Sequence, residues 1–208
     1  LAMLRTLVDE DLPLPELARR LNIQVSKHAP PSRFITLFLG LFDPRTGELA
    51  FAFIHGNWSL DNSRRDGRWC GLNNELILLR ELGCYADFTL PSAPSDTQTS
   101  TVNSIYYATD DPHKPKSHDR GEPVRVGGSP SGDLMIVQGP LALNWRNRRF
   151  GIIPRIENSD IRRSCPPSAQ RVDDWIRTGI HVQGRPEWVF VKIHTHGTQE
   201  GDMDTLLG

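Results

Sequence analysis

The fold of this chain is decided by an apolar stretch that contains one turn: residues 33–54 read RFITLFLGLFDPRTGELAFAFI. Arg33–Leu41 shows little alternation between polar and apolar side chains, which predicts a strand buried on both faces. The Asp-Pro-Arg-Thr-Gly sequence at 43–47 predicts a tight turn, because proline presets a negative φ and glycine accepts a positive one. Leu49–Ile54 is apolar again, so the whole stretch predicts a β-hairpin.

Outside the hairpin, short helices and short strands alternate. Leu14–His28 carries apolar residues three and four positions apart, which predicts an amphipathic helix. The same criteria predict a helix over 76–82 capped by Asn73 or Asn74, a helix over 168–178, and strands over 85–90, 104–108, 134–143 (with a Gly-Pro break inside it) and 188–194. This order of elements predicts an α/β fold with a mixed sheet.

The composition limits the kinds of function. With 208 residues, of which 38% are apolar, the chain has enough apolar side chains for a core, so a wholly disordered chain is excluded. Lys and Arg number 24 against 25 Asp and Glu, with no long basic run, and we therefore expect no nucleic-acid partner. No apolar segment approaches the roughly 18 to 20 residues that span a bilayer, so we expect no membrane span.

The cysteines indicate the cellular compartment, and the start of the sequence bears on whether the chain is a fragment. Cys70, Cys84 and Cys165 are widely spaced and odd in number, which fits neither a disulfide framework nor a two-pair zinc site. They indicate a reducing compartment, and we expect a cytoplasmic protein. The chain begins with Leu1 and has no signal-like start, so we expect a fragment of a longer protein.

The first 50 residues resemble a known family. The resemblance is carried, in order, by PELARRLN at 15–22, RFITLFLG at 33–40 and LFDPRTGEL at 41–49. This helix, strand, turn and strand series resembles the middle of PPM-type serine/threonine phosphatases of the stage II sporulation E kind. The resemblance implies an α/β sandwich, hydrolysis of phosphoserine in bacterial signalling, and two Mn²⁺ or Mg²⁺ ions held by aspartates for an in-line displacement. The family's metal-binding aspartate motifs lie on either side of this stretch, and neither is present in the sequence.

Residues 51–208 resemble a second family. The segments are FAFIHGNWSLDNS at 51–63, GRWCGLNNE at 67–75, GCYADFT at 83–89 and VKIHTHG at 191–197. They are similar to an uncharacterised bacterial branch related to polysaccharide deacetylases of the NodB-homology kind. The resemblance implies a distorted β/α barrel, here incomplete, with a Zn²⁺ or Co²⁺ ion and a polysaccharide or glycan as partner.

This second resemblance implies a site at the ends of strands. It assigns His55 and Asp61 to the metal, and His194 and His196 to protonation of the leaving amine. The two late histidines are two positions apart, which places both rings on one face of a strand. Asp87, at the end of another predicted strand, is either a general base or the cap of a turn.

Two further groups of residues have open roles. Trp58 and Trp69 can stack on sugar rings as substrate-binding residues, or belong to the core. His113 and His118 lie in a run with several prolines and lysines, which predicts an exposed loop rather than a metal site.

Three functions remain. The leading prediction is a metal-dependent, deacetylase-like carbohydrate hydrolase; the alternatives are a PPM-type serine/threonine phosphatase and a non-enzymatic carbohydrate-binding relative. Because the leading aspartate motifs of both families are missing, we expect the chain itself to be an incomplete, inactive hydrolase relative. The predicted domains are 1–50 and 51–208, joined by a true fusion or by two misassembled reading frames.

Overall fold

The computed structural model describes residues 48–195, the strand residues 40–43, and isolated positions 20, 45 and 205. The chain divides into two compact units, which we describe separately. The second unit comprises 38–159 and 167–193 and contains every strand and helix discussed below. The described part of the first unit is small and consists mainly of 160–166 and residues 194 and 195.

A mixed sheet of six strands forms the centre of the second unit. Its strands are β1 (Gly40–Asp43), β2 (Glu48–Phe53), β3 (Cys84–Asp87), β4 (Ile105–Ala108), β5 (Glu122–Pro123) and β6 (Leu134–Val137), in the spatial order β1-β2-β3-β6-β4-β5. β2, β3 and β6 are parallel neighbours, whereas β1 and β4 pair antiparallel with β2 and β6. The fold is therefore mixed α/β, and the described strands form an open sheet rather than the predicted incomplete barrel.

The core lies on the sheet around β6 and helix α1 (Glu75–Glu81). Ile136 of β6 and Tyr106 of β4 have no exposed surface, and Leu76 of α1 is equally buried. Leu76 and Leu79, three positions apart, turn one face of α1 toward this cluster. These residues bring α1, and with it Glu75 at its first position, against the sheet.

The hairpin and both downstream helices confirm the sequence prediction. β1 and β2 pair antiparallel from Gly40 with Phe51 to Asp43 with Glu48, across the predicted turn. α2 (Ala169–Arg177) begins where Ser168 accepts a hydrogen bond from the backbone N–H of Arg171. The helix predicted over Leu14–His28 lies outside the described residues. β2 runs across the predicted domain boundary between residues 50 and 51, and that division stays a prediction.

The strand predicted over 134–143, with a Gly-Pro break inside it, is present as two strands, because β6 ends before Gly139 and Pro140 and the chain forms a strand again only from Ala142. A Cβ added to Gly139 would lie 2.9 Å from Cε of Lys192 and 3.1 Å from its backbone oxygen, so a larger residue there would have to displace Lys192. The side chain of Asn103 then holds Leu141, accepting from its N–H at 2.7 Å and donating to its carbonyl at 2.9 Å. The chain continues as β7 (Ala142–Arg149), which pairs with β8 (Ile153–Glu157) in a separate sheet of two strands.

The strand predicted over 188–194 is wrong. Residues 188–193 form no strand, although they are strongly apolar in sequence. Trp188, Phe190 and Ile193 are each more than 40% exposed, so the run packs too loosely for a buried strand. His194 forms one isolated parallel bridge with Asp160, and the backbone N–H of Ile161 donates to the carbonyl of His194 at 2.8 Å. These contacts belong to the first unit.

No helix among the described residues is long and apolar enough to cross a membrane.

Candidate functional site

The candidate site lies beside the carboxyl ends of the parallel strands β2 and β3. His55 follows β2 by two residues, and Asp87 is the last residue of β3. Parallel strands end at the same edge of a sheet, and this edge is where open α/β sheets place their ligands. The register pairs Phe53 with Asp87, which brings the two chain segments together.

The imidazole of His55 is held in one orientation. Its backbone N–H donates to Oγ1 of Thr89 at 2.7 Å, which ties the residue to the segment after β3. Ring atom Nδ1 lies 2.6 Å from the carbonyl oxygen of Gly56. Since a carbonyl oxygen only accepts, Nδ1 carries the hydrogen and donates it. The other ring nitrogen, Nε2, is thereby left to face the site.

Nε2 of His55 faces the carboxylate of Glu75. The distance from Nε2 to Oε1 is 3.4 Å, and the side chains of His55 and Glu75 are only 11% and 12% exposed. A carboxylate oxygen and an unprotonated imidazole nitrogen both present lone pairs. Their close approach in a shielded place requires a proton or a cation between them.

Cys70 completes a cluster of three possible ligands. Its Sγ lies 3.2 Å from Oε2 of Glu75, and one ligand atom from each of His55, Cys70 and Glu75 lies within 4.8 Å of the other two. Burial, and secondly the charge of Glu75, raise the pKa of the Cys70 thiol. The thiol therefore keeps its hydrogen and donates it to Glu75 when no cation is bound.

The loop between His55 and Glu75 is fixed by its own hydrogen bonds. The backbone N–H of Asp61 donates to Oε2 of Glu75 at 2.6 Å, and Nδ2 of Asn62 donates to Oδ1 of Asn73 at 2.9 Å. Several residues of this loop other than glycine have a positive φ, namely Asn57, Trp58, Asp61, Asn62 and Trp69. Such conformations cost free energy and persist where the surrounding contacts hold them. The loop presents Cys70 directly after one of these residues.

Asp87 is buried behind the cluster. Its Oδ1 accepts from the backbone N–H of Thr89 at 2.9 Å, and its Oδ2 accepts from the hydroxyl of Thr89 at 2.7 Å. Burial raises the pKa of Asp87 to about 6, although the bonds from Thr89 and the nearby charges of His118 and Lys192 act in the opposite direction. The hydrogen bonds are those of the turn-capping alternative, and the general-base role stays a prediction.

Lys192 approaches the same strand end. Its Nζ donates to the backbone carbonyls of Phe88, at 2.6 Å, and Leu90. Burial lowers the pKa of Lys192 to about 8. A carboxyl with a raised pKa and an amine with a lowered pKa thus lie at one edge of the sheet, which is a pattern typical of functional sites.

Asp61 and His118 form a second buried polar group. Neither side chain is exposed, and Oδ2 of Asp61 lies 3.7 Å from Nδ1 of His118 and accepts from the backbone N–H of Ser117 at 2.6 Å. The prediction of an exposed loop is therefore wrong for His118. The hydroxyl of Tyr106, in the core, donates to the carbonyl of His118 at 2.6 Å and holds this segment against the sheet.

The structure joins only some of the predicted site residues. It groups His55 with Cys70 and Glu75, while Asp61 contributes its backbone N–H to Glu75 and turns its carboxylate toward Ser117. Trp58 and Trp69 are 37% and 53% exposed in the same loop. Their substrate-binding role, like the metal role of Asp61, stays a prediction.

Of the two late histidines, the structure describes only His194. His194 belongs to the first unit, and it does not end a strand as predicted. His196 lies outside the described residues. Their catalytic role stays a prediction.

The sequence pattern did not identify Cys70 and Glu75 as site residues. One was treated as an odd cysteine and the other as the start of a helix. The available signal was their shared place in one loop after His55, at fifteen and twenty positions along the chain.

Comparison with known proteins supports one of the two resemblances. The model of the family described as Stage II sporulation protein E (SpoIIE) matches residues 1–102, just under half of the 208 residues. This match supports the phosphatase-like part of the sequence prediction and extends it well past residue 50. No curated protein and no solved structure matches the chain. The resemblance to deacetylases, with its Zn²⁺ or Co²⁺ and its polysaccharide partner, has no support in these comparisons.

The PPM-type phosphatases use Mn²⁺ or Mg²⁺, ions that prefer oxygen ligands. In the part of the chain that the structure describes, the group of three possible ligands that can hold a metal ion contains one nitrogen, one sulfur and one carboxylate donor. The described residues therefore do not fit a pair of ions held by aspartates.

The raised pKa of Asp87 predicts how stability depends on pH. The folded state binds this proton more tightly than the unfolded state, whose carboxyl titrates near 3.8, so the fold gains stability below that pH and loses it as pH rises through about 6. The shift corresponds to a contribution on the order of 3 kcal/mol. We expect Asp87→Asn to flatten the pH dependence of the free energy of unfolding between these values, measured by urea titration. An unchanged slope in the variant would contradict the assignment.

Proposed function

We propose that the chain is a divalent-metal-dependent hydrolase whose substrate is a phosphomonoester on a serine or threonine of a protein. The observation that carries the proposal is the SpoIIE match, because residues 1–102 include His55, Cys70 and Glu75. The match supports the reaction class, and the cluster offers candidate ligands for the cation that such hydrolysis requires.

The surroundings of the cluster support hydrolysis in general. It lies at the carboxyl edge of parallel strands, and its histidine and glutamate are largely shielded from water. Charges interact more strongly in such a place than in bulk water, which favours stabilisation of the charge that develops during phosphoryl transfer. Asp87 acts in this proposal as a positioning residue, since its carboxylate holds Thr89 and Thr89 accepts from the backbone N–H of His55.

Release of inorganic phosphate from a phosphoserine peptide tests the proposal. The full chain is assayed with Mn²⁺, Mg²⁺ and Zn²⁺ in separate reactions. We expect turnover with at least one of these ions, and we expect Glu75→Gln to reduce it by more than the roughly 10- to 100-fold that loss of a residue supporting a metal ligand costs. The matched control is Glu187→Gln, because Glu187 is exposed and pairs only weakly with Arg185 at 3.2 Å.

Two results would contradict the proposal. One is the absence of phosphate release with all three ions from protein that is folded by circular dichroism. The other is an equal loss of activity in Glu75→Gln and Glu187→Gln, which would separate the activity from the cluster.

A second candidate function is hydrolysis of an acetamide on a polysaccharide. It is favoured by the exposed side chains of Trp58 and Trp69, which lie in the same loop as Cys70 and offer aromatic faces to a sugar ring. One face of Trp69 is covered by the guanidinium of Arg64, 4.3 Å from the ring centre. Acetate release from an N-acetylated chitooligosaccharide with Zn²⁺ or Co²⁺ would support it. Sugar binding without acetate release would instead support the non-enzymatic carbohydrate-binding alternative.

A further inference from the structure

We infer that His55, Cys70 and Glu75 bind one divalent cation of the zinc class. The inference goes beyond the proposed function, because cation binding requires no turnover and no particular substrate. It also departs from the Mn²⁺ or Mg²⁺ pair of the phosphatase resemblance, since it assigns a single ion and a sulfur ligand.

The chemistry of the three donors selects the class of ion. Magnesium and manganese favour carboxylate, carbonyl and water oxygens, whereas a thiolate with an imidazole suits zinc and cobalt. Cys70 is not in a disulfide and is partly buried, so its sulfur is available as a ligand. Glu75 adds one negative charge, so that thiolate and carboxylate together neutralise a divalent ion.

The spacing of the donors fits a tetrahedral ion. In a tetrahedron with metal–ligand distances of about 2.0 to 2.1 Å for nitrogen and oxygen, two such ligand atoms lie roughly 3.3 Å apart. The observed distance from Nε2 of His55 to Oε1 of Glu75 is 3.4 Å. The thiol of Cys70 lies within reach of the same carboxylate, and all three donors fall within 4.8 Å of one another.

The residues around the donors already orient them. The carbonyl of Gly56 fixes the hydrogen on Nδ1 of His55, so Nε2 presents its lone pair. The backbone N–H of Asp61 holds Oε2 of Glu75 at 2.6 Å, which leaves Oε1 for the metal. Hydrogen bonds between backbone groups and the distal atoms of the ligands are typical of metal sites that exist before the ion arrives.

Binding of the ion removes one proton from the protein, that of the Cys70 thiol. The S–H bond of Cys70 breaks, its proton passes to solvent, and the sulfur electron pair forms the bond to the metal. No group is oxidised or reduced. Three protein ligands leave the fourth tetrahedral position for water or substrate, which is the arrangement of catalytic rather than structural zinc sites.

Titration of the full chain with Co²⁺ tests the inference. We expect one ion per chain, a sulfur-to-cobalt charge-transfer band in the near ultraviolet, and displacement of Co²⁺ by Zn²⁺. Cys70→Ser should abolish the band, and His55→Ala and Glu75→Gln should each weaken Zn²⁺ binding by about 100-fold or more, measured against a chromogenic chelator. Cys165→Ser and His113→Asn are matched controls, because they remove a second cysteine and an exposed histidine, and they should change neither quantity.

A measurement on the unsubstituted chain tests the inference without relying on variants that could fail to fold. We expect Zn²⁺ to slow alkylation of Cys70 by iodoacetamide, read by peptide mass spectrometry, while leaving the rate at Cys165 unchanged. A band that persists in Cys70→Ser, or equal effects of Zn²⁺ on both cysteines, would overturn the inference. Zn²⁺ binding without hydrolysis would overturn only the proposed function, and hydrolysis with Mn²⁺ but no Zn²⁺ binding would overturn only this inference.

Discussion

Replacing Glu157 with Gln is expected to lower the free energy of unfolding by about 3 to 5 kcal/mol. Glu157, at the end of β8, accepts from Nε and Nη2 of Arg171 at 2.9 and 2.8 Å and from Nε1 of Trp175 at 2.8 Å. The side chains of Glu157 and Arg171 are 6% and 10% exposed. Removing the carboxylate charge leaves a buried guanidinium without its counter-ion, which costs far more than loss of an exposed pair.

The control for this prediction is the exposed pair between Arg185 and Glu187. Both side chains are at least half exposed, so Glu187→Gln should change stability by less than about 1 kcal/mol. Urea titration of the two variants and the parent compares the costs. An equal loss of stability in the two variants would contradict the conclusion that the ion pair between Glu157 and Arg171 holds α2 against β8.

The carboxyl group of Glu157 also predicts how the free energy of unfolding depends on pH. Burial alone would raise the pKa of Glu157, but the hydrogen bonds from Arg171 and Trp175 outweigh it and hold the pKa below its usual value. The pair therefore contributes stability above the ordinary pKa of a glutamate, and the contribution is lost as pH falls through the lowered value. In Glu157→Gln that loss should be absent.

Ile136→Ala is expected to destabilise the second unit by about 2 to 5 kcal/mol. Ile136 lies in β6, between β3 and β4, and has no exposed surface. Truncation removes buried methyl and methylene groups and leaves a cavity in a part of the core that packs on both neighbouring strands. Because Ile136 pairs in register with Asp87, the same cavity lies beside the strand end that supports His55.

The matched substitution is Ile153→Ala in β8. Ile153 is 53% exposed, so the same truncation leaves no buried cavity there. It should change the free energy of unfolding by less than about 1 kcal/mol. Chemical unfolding of both variants provides the comparison. A cost at Ile153 as large as that at Ile136 would contradict the position of the core on the six-stranded sheet.

Local sequence signals predicted most of the elements and the pairing within the hairpin, but not the pairing of strands that are distant in sequence. The turn at 43–47, the leucine stripe of α1 and the Ser168 cap act within a few residues, and the corresponding elements are present. The apolar run at 188–194 shows the limit of such signals. An apolar run becomes a strand only when a neighbouring strand pairs with it, and that partner is not encoded in the run itself.

The site was predictable in part for the same reason. His55 was a candidate because the second resemblance implies a site at strand ends, and the sequence places His55 directly after a predicted strand. Glu75 resembles an ordinary first residue of a helix, and Cys70 lies in a loop rich in glycine and asparagine, so neither carries a local signature of metal binding. Their approach to His55 depends on the path of the loop, which is set by hydrogen bonds such as that from Asp61 to Glu75.

The most direct measurement is the zinc K-edge X-ray absorption spectrum of the full chain with one equivalent of Zn²⁺. A cation held by His55, Cys70 and Glu75 predicts one sulfur neighbour at about 2.3 Å and nitrogen or oxygen neighbours at about 2.0 to 2.1 Å. The sulfur neighbour should disappear in Cys70→Ser and remain in Cys165→Ser. A shell of oxygen atoms alone, or a sulfur neighbour that survives in Cys70→Ser, would contradict the assignment.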